Sequence, residues 1–401
     1  MAAVDSRAEP ETRTPGVLWI CVLALLTAVA PLATDMYLPA LPELAADLGT
    51  TASAVQLSLT AFLVGLAVGQ LVIGPLSDGW GRRRLLLAGT VLCLLAGVGA
   101  ALAPTIAVLV VARFLQGFGG AAGIVLSRAV ISDRTTGNQT VRLFSVMMAI
   151  NGIAPVVAPL IGGALTGIVG WRGVLGAVAG LALLMVLGAY FVVPETLPAG
   201  KRTPGGLRRT GRHVLTALRR RRYVGYTFAF AFSFAAMFAY ISGSSFVLQD
   251  TLGLTTGQYS IAFGANATAL VLSSITSGRL VSRVAPERLL AAGIGALVFV
   301  SAALLVVVLL GAPVWPVLVL LFLSTASLGF VLGNGAGLAT AQVRDLAGTG
   351  SALLGALQFG LGAAVSPLVG SSPLVMAVAM LVASGIAALA LGLLTRERVP
   401  A

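Results

Sequence analysis

Apolar runs of about 20 residues repeat along the whole chain, and nearly every Lys and Arg falls in every second gap between them. At 1.5 Å per residue, such a run crosses the ~30 Å hydrocarbon core of a bilayer as a helix. The pattern predicts an all-α polytopic membrane protein with twelve spans. They fall at about 17–38, 52–75, 83–103, 106–130, 139–163, 170–193, 223–249, 258–280, 289–310, 314–337, 346–370 and 373–394. Function narrows to transport, sensing or chemistry inside the membrane.

Composition supports this. Charged residues make up 9% of the 401, against about 25% in soluble domains. The net charge of +12 follows loop topology and forms no stripe of the kind that binds nucleic acid. Cys21 and Cys93 both lie in apolar runs, so neither a disulfide framework nor a metal-binding CxxC pair exists. The N-terminal tail is polar and mixed in charge, unlike a cleaved signal, so the first run is expected to remain as span 1.

The basic gaps hold Arg82, Arg83 and Arg84; Arg128, Arg134 and Arg142; Lys201 through Arg222; Arg279, Arg283 and Arg288; and Arg344. The tails add Arg7, Arg13, Arg396 and Arg398, while the other gaps hold only Arg172 beside Glu43, Asp47 and Asp250. The positive-inside rule then places both termini and the long central loop in the cytoplasm, with a bacterial cytoplasmic membrane expected.

That loop divides the chain into six spans plus six: 1–198, a basic linker at 199–222, and 223–401. The linker's HVLTALRRRR segment suits a short amphipathic helix on anionic lipid headgroups. The halves echo each other, as VVAPLIGG at 156–163 resembles AVSPLVGS at 364–371. Two parallel six-helix halves around a central cavity form a known transporter plan.

Several motifs then coincide. GPLSDGWGRRR (74–84), RFLQGFGGAAG (113–123) and APLIGG (158–163) resemble the loop 2–3, helix 4 and antiporter helix 5 motifs of the major facilitator superfamily. PLATDMYLPALP (31–42), FAYISGSSFVLQ (238–249) and PETL (194–197) look like its Bcr/CflA-type drug:proton antiporters. One departure stands out, because Gly79 occupies the place where the family usually has a basic residue after the loop Asp.

Asp35 is a lone carboxyl in an apolar span, which costs about 2.5–3.5 kcal/mol on insertion scales unless a partner, water or a proton offsets it. Either it loads protons or it sits wetted near the outer end of span 1. Arg113 is the one basic residue well inside a span and shares the depth of Asp35, so it either faces the cavity and binds a carboxylate or carbonyls, or snorkels outward. The resemblance implies that the two residues couple protons to transport. It also implies a gating latch at Gly74, Asp78, Gly81, Arg82 and Arg83, with Asp78 near a helix N-terminus and Arg82 paired to an acid such as Asp133.

In span 5, Gly152, Pro155, Pro159, Gly162 and Gly163 allow close packing and a bend, and by analogy should seal against span 11 at Pro367. Polar and aromatic residues near mid-span are candidate cavity groups: Tyr37, Gln116, Asn151, Phe238, Tyr240, Asn266, Asn334 and Gln358. A mostly apolar site with few polar anchors suits amphipathic substrates.

The expected function is proton-coupled efflux of small amphipathic compounds by alternating access, with a proton-linked metabolite transporter as the alternative. The proton motive force replaces any cofactor. Partners are the substrate, protons and membrane lipid, with no nucleic acid, and a monomer is expected. An enzyme is disfavoured, since the lone His213 lies in the linker and no ligand cluster or nucleotide loop occurs.

Overall fold

The computed structural model describes residues 16–135, 137–202 and 206–395. The tails with Arg7, Arg13, Arg396 and Arg398 lie outside the described residues, as do the side chains of Arg142, Asn151, Lys201, Arg208, Arg209 and Arg212. The described chain is helical throughout. In order it runs α1 (Val17–Asp35), α2 (Leu41–Asp47), α3 (Ala52–Trp80), α4 (Arg82–Ala101), α5 (Ile106–Arg134), α6 (Gly137–Val192), α7 (Gly206–Leu218), α8 (Arg221–Phe246), α9 (Thr256–Leu280), α10 (Pro286–Leu309), α11 (Val314–Ala341), α12 (Ala347–Val369) and α13 (Pro373–Leu394).

Among the described residues, 11 stretches are long and apolar enough to cross a membrane. The 56-residue α6 would measure about 84 Å at 1.5 Å per residue, too long for one crossing. It breaks at Gly170, whose φ of 65° lies in the left-handed region that glycine enters at little cost. The break separates the predicted spans 139–163 and 170–193, which gives twelve crossings. Large apolar side chains such as Leu95, Phe191 and Phe299 face outward, as lipid permits and water does not. Exposed Trp80 and Trp315 sit at opposite ends of the bundle, as tryptophans at membrane–water interfaces do.

The first crossing departs from expectation. The predicted span 17–38 leaves the α-helix at Asp35, passes through a 3₁₀ turn at Leu38–Ala40, and continues through α2 to Asp47. Pro39 and Pro42 lack an N–H, so an unbroken ladder cannot run through this segment. Asp35 therefore lies at an interior break and not at a wetted helix end.

The six-helix halves are α1–α6 and α8–α13, with α7 between them. Within the first half, α3 and α5 touch backbone to backbone, so a side chain at Gly65 or Gly117 would collide with the facing main chain. The expected seal of span 5 against span 11 is not the one formed. Span 5, the first part of α6, packs on α9, and span 11 (α12) packs on α3. Internal duplication explains the correction: the symmetry that exchanges the halves swaps span 5 with 11 and span 8 with 2, so one kind of contact occurs twice. At the end bearing the basic loops, α7 touches both α3 and α12.

Candidate functional site

At the end away from the basic loops, hydrogen bonds tie the halves together. Gln56 on α3 is fully buried. Its amide Nε2 donates to the Ser242 carbonyl at 3.0 Å and the Gly370 carbonyl at 2.8 Å, and its Oε1 accepts from the Gly370 N–H at 2.9 Å. Gly370 ends α12 with φ 58°, a conformation that exposes this peptide to capping. Thr60 adds a bond to the Ala363 carbonyl at 3.0 Å. Ser245 donates to the Leu38 carbonyl at 2.6 Å, and Gln249 to the Pro39 carbonyl at 3.2 Å. These contacts close the distal end of the bundle.

Just below this seal, Asp35 faces the second half. It is 5% exposed, and Thr34 donates to its Oδ1 at 2.9 Å. It forms no ion pair among the described residues. Its electrostatic neighbours are the phenols of Tyr240 and Tyr259. Asn266 donates to Tyr240 Oη at 2.7 Å, Tyr259 Oη meets Ser244 Oγ at 3.2 Å, and Phe263 stacks on Tyr240 with centroids 5.6 Å apart. A carboxyl from one half thus adjoins a phenol–amide cluster from the other.

Arg113 is fully buried and does not pair with Asp35. Its Nη2 donates to the Ala33 carbonyl at 2.8 Å and its Nη1 to Gln116 Oε1 at 2.6 Å. The guanidinium lies 4.6 Å from the Tyr37 ring centroid and 4.4 Å from that of Phe62, a cation–π cage. The break in α1 explains the position. Carbonyls in the last turn of a helix lack intrahelical donors, and the dipole there favours a cation. Arg113 therefore reaches Asp35 through backbone, gripping α1 two residues upstream of the carboxyl.

The other candidate cavity residues separate. Tyr37 and Gln116 belong to the Arg113 cage, and Tyr37 Oη bonds Ser58 Oγ at 2.7 Å. Tyr240 and Asn266 belong to the Asp35 cluster. Phe238 stacks on Phe234 at 5.7 Å, and Phe359 of α12 meets Phe234 edge-on at 5.6 Å. Gln358, half-buried, is the neighbour of Phe359 on α12. Asn334 is not in the group: its amide bonds Ser277 Oγ and the Phe330 carbonyl, both at 2.8 Å, tying α11 to α9. Sequence reasoning missed Gln56, Gln70, Ser244 and Tyr259. Gln70 abuts Gly355 across the halves, with its buried Nε2 unpartnered among the described residues. A glutamine inside an apolar run is the signal that could have found Gln56 and Gln70, as it found Gln116.

The sequence model of the Major Facilitator Superfamily matches residues 23–367. The chain belongs to this superfamily. MFS-type transporter YdgK of Bacillus subtilis is 39% identical over 383 residues, covering 94% of this chain and 95% of that protein. The bicyclomycin resistance protein homolog of Haemophilus influenzae is 30% identical over 369 residues, covering 92% of each. The crystal structure of a point mutant of the nucleoside transporter NupG matches with a TM-score of 0.72 at 14% identity, over 94% of this chain and 98% of that one, and supports the fold. This major facilitator is a multi-pass membrane transporter and not an enzyme.

The superfamily loop between α3 and α4 forms an ion-paired cluster. Asp78 and Arg82 meet at 2.7 Å, Arg82 also reaches Asp133 at 3.3 Å and Ser77, and Gly81 turns the chain at φ 97°. Asp78 sits in the last turn of α3, not at a helix N-terminus, because the break between helices falls three residues later, at Gly81. The carboxylate at the N-terminus of α4 is Glu195, from PETL. It accepts from the backbone N–H of Arg82 at 2.9 Å and of Arg83 at 3.3 Å. Arg83 clasps the same strap through the carbonyls of Val193 at 3.0 Å and Tyr190 at 2.7 Å.

Burial acts to raise the Glu195 pKa, but the Leu197, Arg82 and Arg83 N–H donors and Arg202 outweigh it and hold the carboxyl below its usual range. A depressed folded-state pKa stabilises fully above the unfolded value of about 4.3 and fades as pH falls through the folded value. Glu195 is exposed and screened by solvent, so Glu195→Gln should cost only about 0.3–0.5 kcal/mol of stability at pH 7 and progressively less in acid. Melting of both proteins from pH 7 to pH 3 checks this; a deficit that does not shrink in acid would refute the charged cap.

Proposed function

We propose that this transporter exports small amphipathic compounds in exchange for protons, as a drug:proton antiporter of the Bcr/CflA type. One observation carries the reading: the Asp35 carboxyl is buried where the halves meet, with no cationic partner among the described residues. A carboxylate so placed is costly while charged and favours taking a proton. It can then bias one arrangement of the halves when protonated and the other when charged. Arg113 holds the α1 break that carries Asp35, so movement there would pass into α5. The Phe234–Phe238–Phe359 wall, with the Gln70 N–H that is unpartnered among the described residues, offers the apolar contact and single polar anchor that amphipathic molecules need. The resistance-named relative supports a drug-like substrate class.

The basic loops argue that both termini and α7 face the cytoplasm. The closed distal end would then be external, and this conformation would await a cytoplasmic substrate. Reporter fusions after residues 50, 210 and 401 test the orientation; an external signal at 210 or a cytoplasmic one at 50 would sink it. The exchange itself is tested in proteoliposomes. Adding bicyclomycin should drive proton movement opposite to the drug, and a substrate flux unlinked to protons would overturn the reading.

A further inference from the structure

On the outer surface of the second half, α8, α10 and α13 enclose a groove of about 360 Å³ that the transport cycle described above does not use. It lies at the basic end, where α10 begins at Pro286 and α8 at Arg221. Its sides are two facing pairs of small residues, Ala291 and Gly295 on α10 and Ala388 and Gly392 on α13, each pair one helical turn apart. Ile294 and Leu391 complete the apolar lining. Added side chains at Gly295 and Gly392 would meet nothing within 4 Å. Exposed apolar residues such as Phe299, Leu389 and Leu393 occupy the same two helices, so the groove opens to lipid.

The mouth carries both signs of charge. Glu287 is exposed and forms no ion pair among the described residues. The Tyr226 phenol lies within electrostatic range of both Glu287 and Arg222. Arg221 lies alongside, donating to the Leu393 carbonyl at the end of α13. The Glu287 carboxylate and the Arg222 guanidinium about one phenol, with Arg221 at the adjoining end of α13, lie above an apolar slot and complement an ammonium and a phosphate above an acyl chain. We infer that this groove holds a membrane phospholipid with a primary-amine zwitterionic headgroup, the phosphatidylethanolamine class. Glu287 takes the ammonium, the guanidinium groups take the phosphate, and one acyl chain lies between α10 and α13. A quaternary amine has no N–H to donate to Glu287, and a purely anionic headgroup meets the carboxylate unfavourably.

The test uses the full chain, delipidated in detergent and given dioleoyl phosphatidylethanolamine, phosphatidylcholine or phosphatidylglycerol, with retained lipid counted by native mass spectrometry. The wild type should retain phosphatidylethanolamine about ten-fold over phosphatidylcholine, as one charge-assisted hydrogen bond allows. Glu287→Gln should bring that ratio to near one, and Gly295→Leu, which fills the slot, should lower phosphatidylethanolamine to the phosphatidylcholine level. A ratio within one protein is insensitive to its overall stability. Equal retention in the wild type, a preference for phosphatidylglycerol, or a preference that survives either substitution overturns the assignment. None of these outcomes depends on proton coupling.

Discussion

Asp35→Asn should abolish uphill efflux while leaving a folded protein in the membrane. Each net charge moved through 100 mV supplies about 2.3 kcal/mol, enough to hold a concentration ratio of about 50-fold. A neutral amide cannot carry the proton that taps this source, so the ratio of an uncharged drug across the membrane should fall to one. Asn fills the same volume, and Thr34 can still donate to its oxygen. Downhill drug exchange should therefore persist, which separates lost coupling from lost folding. The measurement is drug accumulation in energised vesicles beside equilibrium counterflow in the same preparation. Retention of wild-type, uncoupler-sensitive accumulation would place the proton route elsewhere.

Gln56→Leu should release the distal seal. The change keeps the side chain near its original size but removes three hydrogen bonds, leaving the Gly370 N–H and the Ser242 and Gly370 carbonyls without these partners. At about 1 kcal/mol each, the closed form loses about 3 kcal/mol, a shift of about 100-fold toward distal opening. Ser245→Cys, in a chain with Cys21 and Cys93 replaced, reports it, because residue 245 is buried at the seal. Its alkylation by a membrane-impermeant maleimide should accelerate about 100-fold when Gln56→Leu is added. An unchanged rate would mean that packing alone closes this end.

The membrane plan was legible because lipid imposes two coarse signals, apolar length and loop charge, that need no knowledge of tertiary contacts. Asp35 and Arg113 were legible for the same reason, as ionisable groups where hydrocarbon should be. Their relation was not. Shared depth left both a carboxylate and carbonyls open as partners of Arg113; it spends its donors on the Ala33 carbonyl and Gln116 because α1 breaks beside it, and a break's unsatisfied carbonyls are invisible in a hydropathy pattern. Asn334 looked like a cavity residue on polarity alone; only helix rotation shows it turned to Ser277. The pairing of span 5 with span 8 was likewise hidden, since Gly/Pro content marks a helix for close packing without naming its partner. Glu195 was read as part of a motif, and its role as a cap needed the three-dimensional return of the chain to Arg82.

The two seams between the halves are related by the duplication but built from different materials. The α3–α12 seam is stitched by Gln56 and Thr60. Along the α6–α9 seam, Gly152 approaches Val271, and Leu160 packs on Gly264. Hydrogen bonds fix both the distance and the direction of their partners, whereas apolar surfaces can slide past one another while keeping much of their contact. The distal mouth should consequently behave like a door hung on one jamb, lifting first along α6 and α9 and swinging about α3 and α12. A substrate leaving by that route would then exit sideways past span 5, and not straight up the axis of the bundle.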